Sequence, residues 1–125
     1  MLVDTSIWVE HLRHGQLGLV SLLHRAEVQC HPFIIGELAC GSISRRSEIL
    51  QLLRRLPSVP VVENEEVMTF VERHRLMGRG VGWVDVHLLA SAALESVLLW
   101  SVDRRLAAIA RSLGLYGEPK LKSIS

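Results

Sequence analysis

Four acidic residues lie where the sequence is otherwise apolar. The three aspartates of the chain, Asp4, Asp85 and Asp103, each interrupt or end an apolar run, and Glu37 lies inside the segment PFIIGELAC. A carboxylate that is carried into a core is unfavourable unless it is paired, hydrogen-bonded or bound to a metal ion. We therefore expect these four acids to share one role, although they are far apart along the chain.

The chemistry that fits clustered carboxylates is cation binding. Carboxylates a few ångströms apart repel each other by about 4 kcal/mol per pair at an effective dielectric constant of roughly 20. A divalent cation removes this repulsion, and ligands that are all oxygen suit Mg²⁺ or Mn²⁺. A cation in such a site activates an attacking water and neutralises charge on a phosphate. The pattern thus favours hydrolysis of a phosphodiester.

Helix capping is the alternative role for two of the acids. Asp4 precedes Thr5 and Ser6, and Asp103 precedes a helical pattern, so either aspartate could cap the helix that follows it. Capping and cation binding both remain open for these two residues. Glu37 and Asp85 are expected inside helices with apolar neighbours on both sides, where capping explains them less well.

The elements that must position these acids alternate along the chain. Short apolar runs at 1–3, 28–30, 59–62 and 97–100 predict buried strands, and each is followed by a helical pattern. The predicted helices cover residues 6–14, 16–26, 32–40, 44–56, 65–77, 83–96 and 104–113. This alternation predicts an α/β fold with a central parallel sheet covered by helices. Asp4 and Asp103 directly follow strands, at the carboxyl ends where such sheets bind ligands.

Length and charge set the limits of this interpretation. A chain of 125 residues predicts a single domain over 1–125. Lys and Arg total 14 against 13 Asp and Glu, so the net charge neither favours nor excludes a nucleic-acid partner. The basic residues are mostly arginines, which hold phosphate in a planar fork. The arginines that we expect nearest to a bound phosphate chain are Arg104, Arg105, Arg45, Arg46 and Arg79.

The cysteines and the apolar tracts predict a soluble cytoplasmic protein. Cys30 and Cys40 form no closely spaced pair and do not indicate a disulfide scaffold. No basic segment precedes the first apolar residues, so we expect no secretory signal. The tract 84–102 is interrupted by Asp85, His87 and Glu95, which makes it a poor membrane span. The glycine-rich segment 78–82 is interpreted as a loop or hinge before Asp85.

The sequence resembles a PIN-domain ribonuclease, and more closely the toxin of a VapBC-type toxin–antitoxin pair. The segments that carry the resemblance are MLVDTSIWVE, IIGELACG, GWVDVHLLASAAL and LLWSVDRRLAAIA. Their order and spacing are similar to the four acidic motifs of that family. By position, the resemblance makes Asp4, Glu37, Asp85 and Asp103 the metal-site acids. Ser6 and Ser101 fall where hydroxyl groups could hydrogen-bond the carboxylates.

The resemblance also implies a fold, an activity and partners. The implied fold is a three-layer α/β/α sandwich around a parallel sheet. The implied activity is endonucleolytic cleavage of RNA that depends on Mg²⁺ or Mn²⁺, and the toxin branch cleaves structured RNA such as tRNA or rRNA. The implied partners are a second copy of the chain in a homodimer and a cognate antitoxin that blocks the site.

Three other functions were weighed against this one. A zinc site formed by Cys30, His31 and Cys40 matches no common zinc spacing. A phosphatase or phosphoacceptor with Asp4 as nucleophile would have a second aspartate two residues later, where Ser6 stands. A PIN-like interaction module that has lost catalysis would have no reason to keep four carboxylates in apolar segments, because an idle cluster only destabilises.

Overall fold

The helices and strands of the protein alternate as the sequence predicts. The computed structural model describes residues 1–120, so the predicted single domain over 1–125 extends beyond the described part. The elements in chain order are β1 (Leu2–Val3), α1 (Thr5–His14), α2 (Leu17–His24), α3 (Pro32–Cys40), α4 (Arg46–Arg55), α5 (Asn64–His74), α6 (Trp83–Glu95), β2 (Leu99–Trp100) and α7 (Arg104–Ser112). The result is an α/β fold that is rich in helix and has a small parallel sheet.

The parallel pairing is centred on β1 and β2. Leu2 is paired with Leu99 and Val3 with Trp100. Isolated parallel bridges extend this pair on both sides, from Leu2 to Gln29 and from Leu99 to Tyr116, and a further bridge joins Cys30 to Ser58. The predicted strand at 28–30 is therefore reduced to the two bridge residues Gln29 and Cys30. The predicted strand at 59–62 forms no bridge, because the partner of Cys30 is Ser58, directly before it.

Each predicted helix is present, and 32–40 has the predicted bounds. Asp4 and Asp103 cap α1 and α7 with their side chains, and His31 caps α3, whose first residue is Pro32. Residues 78–82 lie outside the helices and strands, as the loop interpretation requires. Local signals thus account for where α1, α3 and α7 begin.

The core is built from aliphatic side chains on both sides of the paired strands. Leu2, Val3 and Leu99 are fully buried, and both α6 and α7 contact β2. Helix α5 packs on α6, and α3 packs on α1 and α4. The assignment of these helices to two outer layers stays a prediction. Trp8 and Trp100 lie in the core.

No helix within residues 1–120 is long and apolar enough to cross a membrane. The two cysteines are both free thiols, with Cys30 buried and Cys40 exposed.

Candidate metal centre

Asp4 lies at the end of β1, where the chain passes into α1. Its backbone amide continues the β1–β2 pairing by donating to the carbonyl of Trp100 at 2.9 Å. The side chain is 5% exposed. Its Oδ2 atom accepts hydrogen bonds from the hydroxyl of Ser6 at 2.7 Å and from the hydroxyl of Ser101 at 2.8 Å. The carboxylate is therefore fixed in orientation at the carboxyl end of the central strand.

The two serines connect the ends of β1 and β2. The hydroxyl of Ser101 accepts from the backbone amide of Asp103 at 3.0 Å, and that of Ser6 accepts from the amide of Val102 at 3.2 Å. The two hydroxyl oxygens are 3.2 Å apart. The segment that leads to Asp103 is thus tied to the hydroxyls that hold Asp4.

Asp103 caps α7 and is exposed. Its Oδ1 atom accepts from the backbone amides of Arg105 and Leu106, both at 3.0 Å. These bonds satisfy two of the amides that a helix leaves unpaired at its first turn. The capping role that the sequence left open for Asp4 and Asp103 is present at both residues.

Asp85 lies in the first turn of α6 and is half-buried. Its Oδ2 atom accepts from the backbone amide of Gly82 at 3.0 Å, so this acid also supports a helix start. The expectation that capping explains Asp85 poorly was wrong, because the side chain reaches back to the residue before α6. Burial raises the pKa of Asp85, the Gly82 hydrogen bond opposes this, and the charges of Asp4 and Asp103 raise it further.

Glu37 lies in the middle of α3, on its exposed side. The buried face of the helix is formed by Ile34 and Leu38. The Oε1 atom of Glu37 accepts from the hydroxyl of Thr5 at 2.7 Å. Partial burial raises the pKa of Glu37, the Thr5 hydrogen bond lowers it, and the negative charges of Asp4 and Asp85 raise it. Glu37 therefore belongs to the same electrostatic group as the other acids.

The burial of the four acids differs from the expectation. The sequence predicted that all four would be carried into the core, but only Asp4 is buried, and Glu37 and Asp103 are exposed. Apolar neighbours in sequence did not bury Glu37, because a helix turns its residues by about 100° each and one face meets solvent. Asp103 stands at the exposed start of α7, before its first helical residue. The acids therefore line an accessible edge of the fold.

Within the described residues 1–120, no basic side chain forms an ion pair with this group. The ion pairs within residues 1–120 are Arg25 with Glu27 at 3.8 Å and Arg45 with Glu48 at 2.7 Å, and neither includes one of the four acids. Mutual repulsion without a counter-charge is the electrostatic situation that a divalent cation relieves. The donor atoms are all carboxylate oxygens, which suit Mg²⁺ or Mn²⁺.

The arrangement of the side chains is looser than a closed metal site. In the described part of the chain, no three histidine, cysteine, aspartate or glutamate side chains are placed so that together they could hold a metal ion. Each of the four carboxylates is turned toward its own hydrogen-bond donors. The chemistry of the donor set thus fits a divalent cation, and closing the site requires the exposed side chains to turn inward.

One oxygen of each of the four carboxylates accepts hydrogen bonds from within residues 1–120, and the other oxygen accepts none there. The hydrogen bonds within residues 1–120 reach only Oδ2 of Asp4, Oε1 of Glu37, Oδ2 of Asp85 and Oδ1 of Asp103. The second oxygen of each carboxylate has no partner among those residues. A carboxylate that is oriented through one oxygen can offer the other to a cation.

The predicted phosphate-binding arginines fall into two groups. Arg45 pairs with Glu48, and both Nε and an Nη of Arg46 donate to the carbonyl of Ala39, at 3.1 and 2.9 Å. These two side chains already have partners that stabilise α3 and α4. Arg79, Arg104 and Arg105 are exposed and form no ion pair within residues 1–120. Contact of any of the five with RNA stays a prediction.

Thr5 is the site residue that the sequence interpretation missed. It was considered only together with Asp4 as part of a helix cap, but its hydroxyl holds Glu37, which is 32 positions further along the chain. The signal that could have found it is its place as first residue of α1, directly after a candidate ligand. Sequence spacing alone does not say which helix faces that hydroxyl.

Two buried histidines, His31 and His87, have structural roles. Nδ1 of His31 accepts from the amide of Phe33 at 3.0 Å, and Nε2 lies 3.2 Å from the hydroxyl of Ser91. His87 is fully buried and its ring meets the edges of Phe33 and Trp83. These contacts give His87 a packing role between α3 and α6.

Comparison with known proteins agrees with the motif resemblance. Residues 1–112 match the PIN domain family. The chain is 49% identical over 116 residues to Ribonuclease VapC32 of Mycobacterium tuberculosis, in both strain CDC 1551 / Oshkosh and strain ATCC 25618 / H37Rv. The alignment covers 92% of this chain and 94% of the relative. The predicted resemblance is confirmed, and the chain belongs to the PIN domain family, in its VapC branch.

Proposed function

We propose that this protein is an endoribonuclease that depends on Mg²⁺ or Mn²⁺ and acts as the toxin of a VapBC-type pair. The observation that carries the proposal is the set of four electrostatically coupled carboxylates, each with one oxygen free of hydrogen bonds within residues 1–120. Its support in the comparisons is the similarity to a protein named as a ribonuclease. The phosphatase alternative has no comparable support.

In the proposed site, one set of groups orients the carboxylates and the carboxylates bind the cation. Ser6 and Ser101 hold Asp4, Thr5 holds Glu37, and backbone amides hold the two remaining aspartates. The free oxygens of Asp4, Glu37, Asp85 and Asp103 would hold the cation. Bound there, Mg²⁺ or Mn²⁺ supplies an activated water and neutralises charge on the phosphate of the substrate. The chain then needs no nucleophile of its own.

The substrate and the partners are proposed from the family resemblance. The substrate class is structured RNA, with tRNA and rRNA as the candidates. A cognate antitoxin would block the site, and a homodimer is the proposed state of the free toxin. Large apolar side chains exposed within residues 1–120, such as Leu17, Met77 and Trp83, offer surface for such contacts. Two free thiols fit the proposed cytoplasmic location.

A cleavage assay with matched variants tests the proposal. Purified protein is incubated with total tRNA and with rRNA in Mg²⁺, in Mn²⁺ and in EDTA, and RNA ends are sequenced. We expect discrete new ends with either metal, none in EDTA, and none with Asp4→Asn or Glu37→Gln. Glu95→Gln is the control, because Glu95 is an exposed acid at the far end of α6.

Two results would count against the proposal in different ways. Cleavage that persists in EDTA, or in both site variants, would contradict the proposed metal site. A preparation that binds RNA but never cleaves it would favour the alternative of an idle PIN-like module. Co-expression with the adjacent open reading frame tests the antitoxin separately, since restored growth and lost cleavage are expected only if that partner exists.

A further inference from the structure

The side chain of Arg105 lies directly against Gly80. A Cβ atom built on Gly80 would be 2.6 Å from Cδ, 2.7 Å from an Nη and 3.0 Å from Cζ of Arg105. Gly80 also has a φ of +80°, a backbone conformation that favours glycine. Only a residue without a side chain leaves room for the arginine at this point of the loop.

This contact does not use the charge of the arginine. Within residues 1–120 the guanidinium of Arg105 has neither a hydrogen bond to an acceptor nor an ion pair, and the residue is exposed. A guanidinium carries five N–H donors in a rigid fork. Its donors are thus open to a ligand with several oxygen atoms.

The contact also joins the two segments that carry Asp85 and Asp103. Gly80 is two residues before Gly82, whose amide holds Asp85, and Arg105 is two residues after Asp103 and donates its own amide to that acid. The charge of Asp103 is one cause of the raised pKa of Asp85. The side chain of Arg105 therefore contacts the loop that leads to Asp85, while its backbone amide holds Asp103.

We propose that Arg105 is a phosphate-binding residue for RNA, and that Gly80 is the positioning residue that orders it. The inference rests on the proposed function. Arginine binds phosphate through paired N–H donors, and fixing the side chain before RNA arrives reduces the entropy lost on binding. Arg45 and Arg46, which the sequence grouped with Arg105, already have partners and do not share this property.

RNA binding in EDTA tests this inference apart from cleavage. The full chain is titrated into a fluorescein-labelled RNA stem-loop, and anisotropy gives the dissociation constant between about 50 and about 200 mM KCl, a range over which phosphate contacts are strongly salt-dependent. We expect Arg105→Ala to weaken binding by about five- to tenfold. It should also reduce the slope of log K against log salt by roughly 0.7 to 0.9, the loss of one phosphate contact.

Two glycine variants separate positioning from general strain. Gly78 and Gly80 have similar left-handed backbones, with φ of +72° and +80°, but a Cβ on Gly78 meets nothing within 4 Å. Both alanine variants therefore strain the loop, and only Gly80→Ala displaces Arg105. We expect Gly80→Ala to weaken RNA binding severalfold and Gly78→Ala to bind as the parent protein does. In an Arg105→Ala background, Gly80→Ala should change RNA affinity no more than Gly78→Ala.

Three results would overturn the inference. Unchanged RNA affinity and an unchanged salt slope in Arg105→Ala would show that Arg105 does not contact phosphate, and would leave the nuclease proposal intact. Equal effects of Gly78→Ala and Gly80→Ala on RNA affinity would show that Gly80 does not position Arg105. Failure of the parent protein to bind the stem-loop at any salt concentration would also overturn this inference, while cleavage in Mg²⁺ or Mn²⁺ decides the proposed function separately.

Discussion

Capping by three of the acidic residues leaves each of them an oxygen for the proposed cation. Asp4, Asp85 and Asp103 each use one oxygen to satisfy donors at a helix start and leave the other without a partner in the described part of the chain. The sequence showed which residue types stand at which chain positions. It did not show their burial or their donors, because these depend on how α1, α3, α6 and α7 face one another.

Two substitutions of Asp103 separate its two roles. Asparagine can still accept from the amides of Arg105 and Leu106, so we expect Asp103→Asn to keep the stability of the parent within about 0.5 kcal/mol and to lose RNA cleavage. Asp103→Ala loses the cap as well, and its free energy of unfolding should fall by about 1 kcal/mol. Urea denaturation and the cleavage assay measure the two effects. An active Asp103→Asn would show that the cap is the main role.

The start of α3 depends on a buried histidine rather than on a small polar cap. His31 accepts from the amide of Phe33 and lies beside the hydroxyl of Ser91, which in turn donates to the carbonyl of Pro60 at 2.9 Å. This chain of contacts links α3 to α6, the two helices that carry Glu37 and Asp85. Pro32 predicted where α3 begins, but the histidine contact to α6 is not visible in the local pattern.

Burial of His31 predicts a loss of stability in acid. Desolvation and the nearby His87 lower its pKa from 6.5 to about 4. The unfolded chain therefore binds this proton first, and stability that is complete above pH 6.5 is lost as the pH falls toward 4. Each pH unit in that range removes up to about 1.4 kcal/mol.

The variant His31→Asn tests whether His31 causes the loss of stability in acid. Asparagine can cap α3 but does not titrate, so we expect a variant that is less stable at pH 7 and whose stability falls less steeply on acidification. Urea midpoints between pH 7 and pH 4 give the slopes, and His24→Asn at an exposed position is the control. Equal slopes for the parent and His31→Asn would show that His31 is not the group responsible.

The parallel pairing at the centre of the molecule determines where Asp4 lies. Leu2 is bridged to Gln29 on one side and to Leu99 on the other, so β1 is central and Asp4 leaves from its carboxyl end. The apolar runs predicted this order of strands and helices. They overestimated the lengths of the outer strands, because burial alone does not require a continuous ladder of hydrogen bonds.

Shortening a buried side chain of the central strand β1 tests this arrangement. Leu2 is fully buried, and we expect Leu2→Ala to lower the free energy of unfolding by about 2 to 5 kcal/mol. Leu17 is 76% exposed, so Leu17→Ala should change it by less than about 0.5 kcal/mol. Chemical denaturation compares the pair. Similar values for the two variants would contradict the central position of β1.

The central claim is that carboxylates from four segments of the chain bind a divalent cation together. The most direct measurement is titration of the RNA-free protein with Mn²⁺, in which the electron paramagnetic resonance signal of the free ion reports binding. We expect the parent protein and Glu95→Gln to bind Mn²⁺ equally, and Asp4→Asn, Glu37→Gln, Asp85→Asn and Asp103→Asn each to bind it more weakly. Absence of Mn²⁺ binding to the folded parent protein, or four variants that bind it as tightly as the parent does, would contradict the claim.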